Sequence, residues 1–238
     1  MDVESAEVLY QRGLEAYRAS TPDLSSARAH WSAALERRDE LTAPQRARLC
    51  RSLGNLTFRQ ERPLEAAAWY TAAIRLDPRD GDAWSNLEFA RSKAGLEPAD
   101  RGDLAATFER ATHALTRAES EWLALVMAIL LAILIVLRAF VLGSAATRPL
   151  IMTGLLALVA AVPWFVHWRE SDRDPVFVVS TAGVQVASEP SAAASKVALL
   201  PAGASAQRLE DVAGWTRVET EAGERGWVPA QAMFALKR

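Results

Sequence analysis

Cysteine, histidine and lysine are all scarce in this 238-residue chain, which holds one cysteine, three histidines and three lysines. A lone Cys50 excludes an intramolecular disulfide. It falls inside an apolar helical pattern, a packing position rather than a nucleophile's. His30, His113 and His167 are scattered, and none has a second ligand at i+4 or nearby, so no metal centre is expected. No Walker A loop, GxGxxG, HExxH or GxSxG occurs. Acids such as Asp39, Glu40 and Glu88 sit in the patterns of solvated helix faces. The chain is therefore expected to hold no cofactor and to catalyse no reaction. A net charge of −2 supplies no basic field, so nucleic acid is not an expected partner.

Long apolar runs, by contrast, are present twice. Residues 122–142 and 150–168 carry one arginine, Arg138, and one histidine, His167, between them. At about 1.5 Å per residue each run spans the ~30 Å hydrocarbon layer of a bilayer. The connection at 143–149 is too short to cross back, so the two predict a transmembrane hairpin with both flanking segments on the same side. Trp122, Trp164 and Trp168 lie near the ends, where indole favours the headgroup zone. Pro163 is tolerable in such a helix and is expected to kink it. Arg138 reads either as a charge on a transport path or as a side chain snorkelling to the interface.

Residues 1–98 repeat a pattern of small and large side chains at helical spacing. Within 45–78, Leu53, Gly54, Phe58, Ala66, Tyr70, Ala73 and Pro78 follow the order of a tetratricopeptide repeat, which the segment resembles. Small residues let two antiparallel helices approach, large ones fill the gap, and the proline ends the second helix. An earlier unit matches it: Gly13 and Tyr17 answer Gly54 and Phe58, while Ala27, Trp31 and Ala34 answer Ala66, Tyr70 and Ala73. Arg12 departs from the usual leucine, and Pro63 stands where an aromatic is common. Trp84 and Leu87 answer Cys50 and Leu53 and open a half repeat, whose helix over 82–94 would cap the stack. A further amphipathic helix over 104–119, within a linker at 99–121, is expected to run on into the first membrane span.

Such stacks bind protein segments on a concave face. The candidates there are Asn55, Asn86, Arg51 and Arg91, with the two asparagines foremost as amides able to grip a partner's backbone. Trp31 and Trp84 read either as packing or as binding residues. Trp69, beside Tyr70, is expected to be more exposed than they are and joins the candidate groove.

A charged linker at 169–174 leads to short β-prone runs over 176–180, 184–187, 198–200, 206–210, 216–219 and 226–229, the cadence of a small barrel. Residues 183–233 resemble the bacterial SH3 domain. The resemblance rests on Val184 and Val186 leading into Glu189-Pro190-Ser191, on Leu200 to Gly203, on Gly214-Trp215, and on Gly226-Trp227-Val228. Gln185 and Ala187 depart from the family's common asparagine and arginine, and Glu189 from a common glycine. Glycines are expected at its turns and aromatics in its core. Trp215 and Trp227 are thus either core residues or, with Glu189, a surface that stacks on a peptide or cell-wall glycan.

The expected fold class is multidomain: an all-α tetratricopeptide-repeat stack, a two-helix transmembrane hairpin and a small all-β SH3-like barrel at 175–238. This order, with the stretch WSNLEFAR at 84–91, resembles the BatE-like proteins of bacterial aerotolerance (Bat) operons. The resemblance implies a scaffold in an envelope stress-response or protein-maturation assembly. Its partners would be von Willebrand factor A-domain membrane proteins and a MoxR-type AAA+ ATPase, with peptidoglycan as a further ligand. A cell-wall sensor is the alternative. The expected location is the bacterial inner membrane, crossed twice. Arg148 and Arg138 near the loop favour a cytoplasmic loop, but Arg110, Arg117, Arg169 and Arg173 flank the spans on the other side and offset the count. The family resemblance favours soluble segments in the periplasm. No secretory signal opens the chain, so either the spans direct it to the membrane or a leader is missing from this numbering.

Overall fold

The computed structural model describes residues 4–99, 115–137, 147–171 and 174–236. Most of the expected helix at 104–119, Arg138, His113 and loop positions 143–146 lie outside the described residues. The chain divides into two compact units: Met1–Ala99 with Asp174–Arg238, and Asp100–Arg173.

In the first unit five helices follow one another: α1 (Ala6–Arg18), α2 (Leu24–Glu36), α3 (Ala43–Arg59), α4 (Pro63–Leu76) and α5 (Gly81–Lys93). Their starts are written in the sequence. Asp23 accepts from the backbone N–H groups of Ser25 and Ser26 to cap α2, Asp80 accepts from Ala83 to cap α5, and Thr42 with Gln45 forms a capping box on α3. Pro63 occupies the first turn of α4, where a missing N–H costs nothing.

Helices α1 and α2 pack as a pair, as do α3 and α4, and the same device closes both. A Cβ on Gly13 would lie 2.4 Å from Trp31 Nε1, and one on Gly54 would lie 2.6 Å from Tyr70 Cε1. Each glycine is therefore the seat of an aromatic ring from the second helix. Trp31 is wholly buried there and donates from Nε1 to the Tyr10 carbonyl at 3.1 Å, so it is a packing residue. Trp84 is half-buried and donates to the Pro78 carbonyl.

Helix α4 has nine of its fourteen residues buried, more than a one-sided helix allows. The reason is that α4 lies between α3 and α5 and that its Trp69 is covered by a third neighbour, the C-terminal sheet. Its strands are β1 (Pro175–Val178), β2 (Val184–Ala187), β3 (Lys196–Leu200), β4 (Ser205–Val212), β5 (Trp215–Thr220), β6 (Arg225–Pro229) and β7 (Met233–Ala235). All pairs are antiparallel, in the order β3-β2-β6-β5-β4-β1-β7. The short β7 has no counterpart among the expected strands.

Strand β1 is buried on both faces, and its period of two explains how. Val176 and Val178 enter a core of aliphatic side chains with Val184, Val186, Val218 and Val228. Phe177 points the other way and joins the helical core together with Phe234 and Leu236. Phe177 and Phe234 face each other across β1 and β7, and the Phe234 ring meets Trp69 edge-on, with centroids 4.7 Å apart and planes at 78°. The expectation of an aromatic barrel core is thus corrected. Small aliphatics fill the interior, and the buried aromatics serve the seam with the helices.

The second unit contains α6 (Arg117–Leu137) and α7 (Thr147–Ser171), packed against each other. Within them Ala118–Leu137 and Leu150–Trp168 are long and apolar enough to cross a membrane, and only 6% and 0% of these windows is buried by protein. Apolar surface so uncovered is compatible with a two-pass membrane protein. Pro163 lies within α7. The expected run-on from a preceding helix is corrected: Thr116 Oγ1 accepts from the Glu119 N–H while Glu119 accepts from the Thr116 N–H. That capping box starts α6 afresh. His167 Nε2 donates to the Leu115 carbonyl at 2.9 Å.

Candidate functional site

Two surfaces of the first unit carry the side chains suited to binding. One is the face shared by α1, α3 and α5. Successive turns of α3 present Arg51, Asn55 and Phe58, and the matching turns of α5 present Asp82, Asn86 and Phe89. Three lateral pairs, 51 with 82, 55 with 86 and 58 with 89, share an offset of 31 residues. The expected 34-residue equivalence of Leu53 with Leu87 is a correspondence along the sequence. Lateral neighbours fall about one helical turn earlier.

At the centre of this face Asn55 Oδ1 accepts twice, from Tyr70 Oη at 2.8 Å and from Asn86 Nδ2 at 3.1 Å. Burial, and then the nearby Tyr17, push the Tyr70 phenol well above its ordinary pKa, with Arg51 opposing. The phenol is therefore a proton donor across the neutral range. Both of its neighbours' amides are half-buried and point to the same place. Beyond them lies an aromatic step that sequence reasoning missed as a site. The Phe58 and Phe89 rings meet with centroids 5.2 Å apart and planes tilted by 43°, Lys93 Nζ lies 5.6 Å from the Phe89 ring centre, and the Arg59 guanidinium lies 4.5 Å from that of Tyr17. Phe89 is 55% exposed, so much of its ring faces solvent. The signal was available as the repeated Asn-Leu-x-Phe at 55–58 and 86–89.

The other three candidates are each engaged within the fold. Arg51 Nη1 is bonded to Asp80 at 2.9 Å and Asp82 at 2.7 Å, joining α3 to the start of α5. Arg91 Nε donates to the Glu97 carbonyl at 2.7 Å and holds the turn after α5. Trp69, expected to be exposed, is 7% exposed beneath Phe234 and belongs to the seam.

The second surface is on the sheet. Trp215 is half-buried and lines two shallow grooves of about 340 and 430 Å³. The first runs along Arg208, Asp211 and Met233, the second along Gln185, Lys196 and Gln231. Trp227 is half-buried under the Arg217 guanidinium, 5.9 Å from the ring centre. Neither tryptophan belongs to the aliphatic core. Glu189 is exposed and lines neither groove.

Residues 182–233 match the family described as Bacterial SH3 domain. The matched segment holds β2 to β6 but neither β1 nor Phe234, so Phe177, Phe234 and Leu236 lie outside it, whereas Ala202 and Gly203, which also meet the helical part, lie within it. Among curated proteins no match to the chain is found.

Proposed function

We propose that this chain is a membrane-anchored, non-enzymatic adaptor of a bacterial envelope assembly, with a tetratricopeptide-like stack that holds a partner protein. The observation that carries the reading is the α1/α3/α5 face. Paired amides and an exposed aromatic step are displayed side by side on neighbouring helices, as recognition of an extended or helical segment requires. The glycine–aromatic seats at Gly13 and Gly54 support a repeat origin for the two helix pairs. The SH3-like domain supplies a second contact, to a protein or to cell wall. Membership of a Bat/MoxR-type system, with its von Willebrand factor A-domain proteins, its AAA+ ATPase and a periplasmic placement of the soluble segments, rests on the sequence resemblance alone.

A photo-reactive amino acid in place of Phe89, introduced in living cells, tests the adaptor. Discrete protein adducts at this position, absent when Asn55 and Asn86 are both replaced by alanine, support it. The cell-wall sensor is the second reading, favoured by the exposed edge of Trp215 between two grooves. Sedimentation of the detergent-solubilised full chain with purified peptidoglycan, lost in Trp215→Ala, would establish that reading if position 89 gave no adduct.

A further inference from the structure

The β4–β5 hairpin ends in a cluster of uncharged side chains that neither core uses. Leu209 and Val212 are each 44% exposed, Ala213 is exposed, and Trp215 is half-buried. Val212 pairs directly with Trp215, so Ala213 and Gly214 form a two-residue turn, with φ of 46° and 85°. Turns of this kind normally carry asparagine, aspartate or glycine at the first position. Here an alanine keeps the tip apolar.

Just behind the tip, each charged side chain is paired. Glu210 meets Arg217 at 3.1 Å, and Asp211 meets Arg208 at 3.3 Å while accepting from Thr216 at 2.7 Å. Arg208 also holds Asp174. A tip with compensated charge and protruding aliphatics suits a zwitterionic lipid interface rather than an acidic or basic partner.

Chain connectivity supplies the occasion. Pro175 pairs with Gln207, and the Asp174 carbonyl accepts from the Arg208 N–H, so β4 continues past the point where the chain arrives from α7. A bulge between Arg208 and Glu210 sets the four residues beyond Arg208 against three of β5, so that overshoot is extended by about 10 Å. From Trp168, the last residue of the apolar stretch, three helical residues and a three-residue tether to Asp174 reach together at most about 15 Å. The overshoot is thus of the same order as the tether.

We propose that the β4–β5 tip, residues 209–215, is a second membrane anchor that seats in the phospholipid headgroup layer. This rests on the membrane-anchored reading above. The test uses the full chain carrying Cys50→Ala and one new cysteine, labelled with an environment-sensitive fluorophore and reconstituted in phosphatidylcholine vesicles. Val212→Cys reports the tip, Leu158→Cys the helix α7, and Glu221→Cys the turn at the opposite end of β5. The expected result is blue-shifted emission at 212 that is quenched by nitroxide lipids and shielded from aqueous iodide, with water-like emission at 221. Water-like emission at 212 with lipid quenching at 158 overturns the tip anchor and leaves the membrane anchoring intact. Shielding at 212 without lipid quenching also overturns it, because the site is then covered by protein. Water-like emission at 158 removes the membrane reading itself, and the tip anchor with it.

Discussion

Replacing Phe234 by alanine should weaken the helices as well as the sheet. Phe234 is 8% exposed and Trp69 is 7% exposed, so each ring has left water almost completely. Truncating a buried phenylalanine costs about 3–5 kcal/mol, and the lower end suits a residue at the rim of a core. About 3 kcal/mol is a large share of the 5–15 kcal/mol that holds a domain together. The edge-to-face contact at 4.7 Å contributes about 0.5–1.5 kcal/mol beyond area burial. The double-mutant cycle of Trp69→Ala with Phe234→Ala should therefore return a coupling near 1 kcal/mol, read by pulse proteolysis of the full chain in micelles. Hydrogen exchange supplies the spatial readout. Amides of α4 should lose protection in Phe234→Ala alongside those of β1 and β7, since Phe177, Phe234 and Leu236 share one core with the helices. Additivity within about 0.3–0.5 kcal/mol, together with exchange confined to β7, would refute a shared cooperative core.

Gly54→Ala should destabilise by about 2 kcal/mol, because a methyl 2.6 Å from the Tyr70 ring puts the overpacking cost at the upper end of about 1–3 kcal/mol and the helix-propensity gain of about 1 kcal/mol offsets only part of it. A thermal melt checks it, and an unchanged or raised midpoint would contradict the close approach. For Tyr70, the buried phenol keeps its proton where an unfolded chain, with the ordinary value of about 10, releases it. Its contribution is complete below that pH and is lost as pH rises above it. Tyr70→Phe should accordingly flatten the alkaline fall in helix stability, and parallel slopes for the two proteins would count against the assignment. Sidedness is read with an impermeant maleimide in intact cells carrying Cys50→Ala. A cysteine replacing Lys196 should label and one replacing Ser144 should not; the reverse pattern would place the soluble segments in the cytoplasm.

The legible parts of the fold share one property: both partners of a contact lie close in sequence. The helix read at 82–94 is α5, the runs at 184–187 and 226–229 coincide with β2 and with most of β6, and the glycine–aromatic spacing picks out the seats at Gly13 and Gly54. What stayed hidden depends on distant partners. The alternation of Val176, Phe177 and Val178 marks a strand, but nothing local says that its second face meets helices more than a hundred residues earlier. Met233 to Ala235 is too short to show a period at all. Trp69 looked exposed because the ring that covers it is Phe234, far along the chain. Arg51 looked free for a ligand because the acids that hold it stand at the start of α5, two helices on. Asn55 and Asn86 were each legible as candidates, and their contact depends on α3 and α5 lying side by side.

The seam also decides which face of the stack a partner can use. With Trp69 under Phe234, α4 is closed on the side that faces the sheet, while Phe89, Lys93 and Arg59 remain exposed on α5 and α3. A partner captured through the α1/α3/α5 face therefore has no need to displace the sheet, and binding there should survive Phe234→Ala at temperatures where the helices stay folded. A partner that competes with the sheet for α4 should instead bind Phe234→Ala more tightly, because the mutation removes the side chain covering its site without touching the site itself. Adduct yield at position 89, compared between the parent chain and Phe234→Ala, separates the two. An unchanged yield supports capture on the open face, whereas a marked rise would make the sheet a cover over the binding surface and move the partner's seat from Asn55 and Asn86 to Trp69.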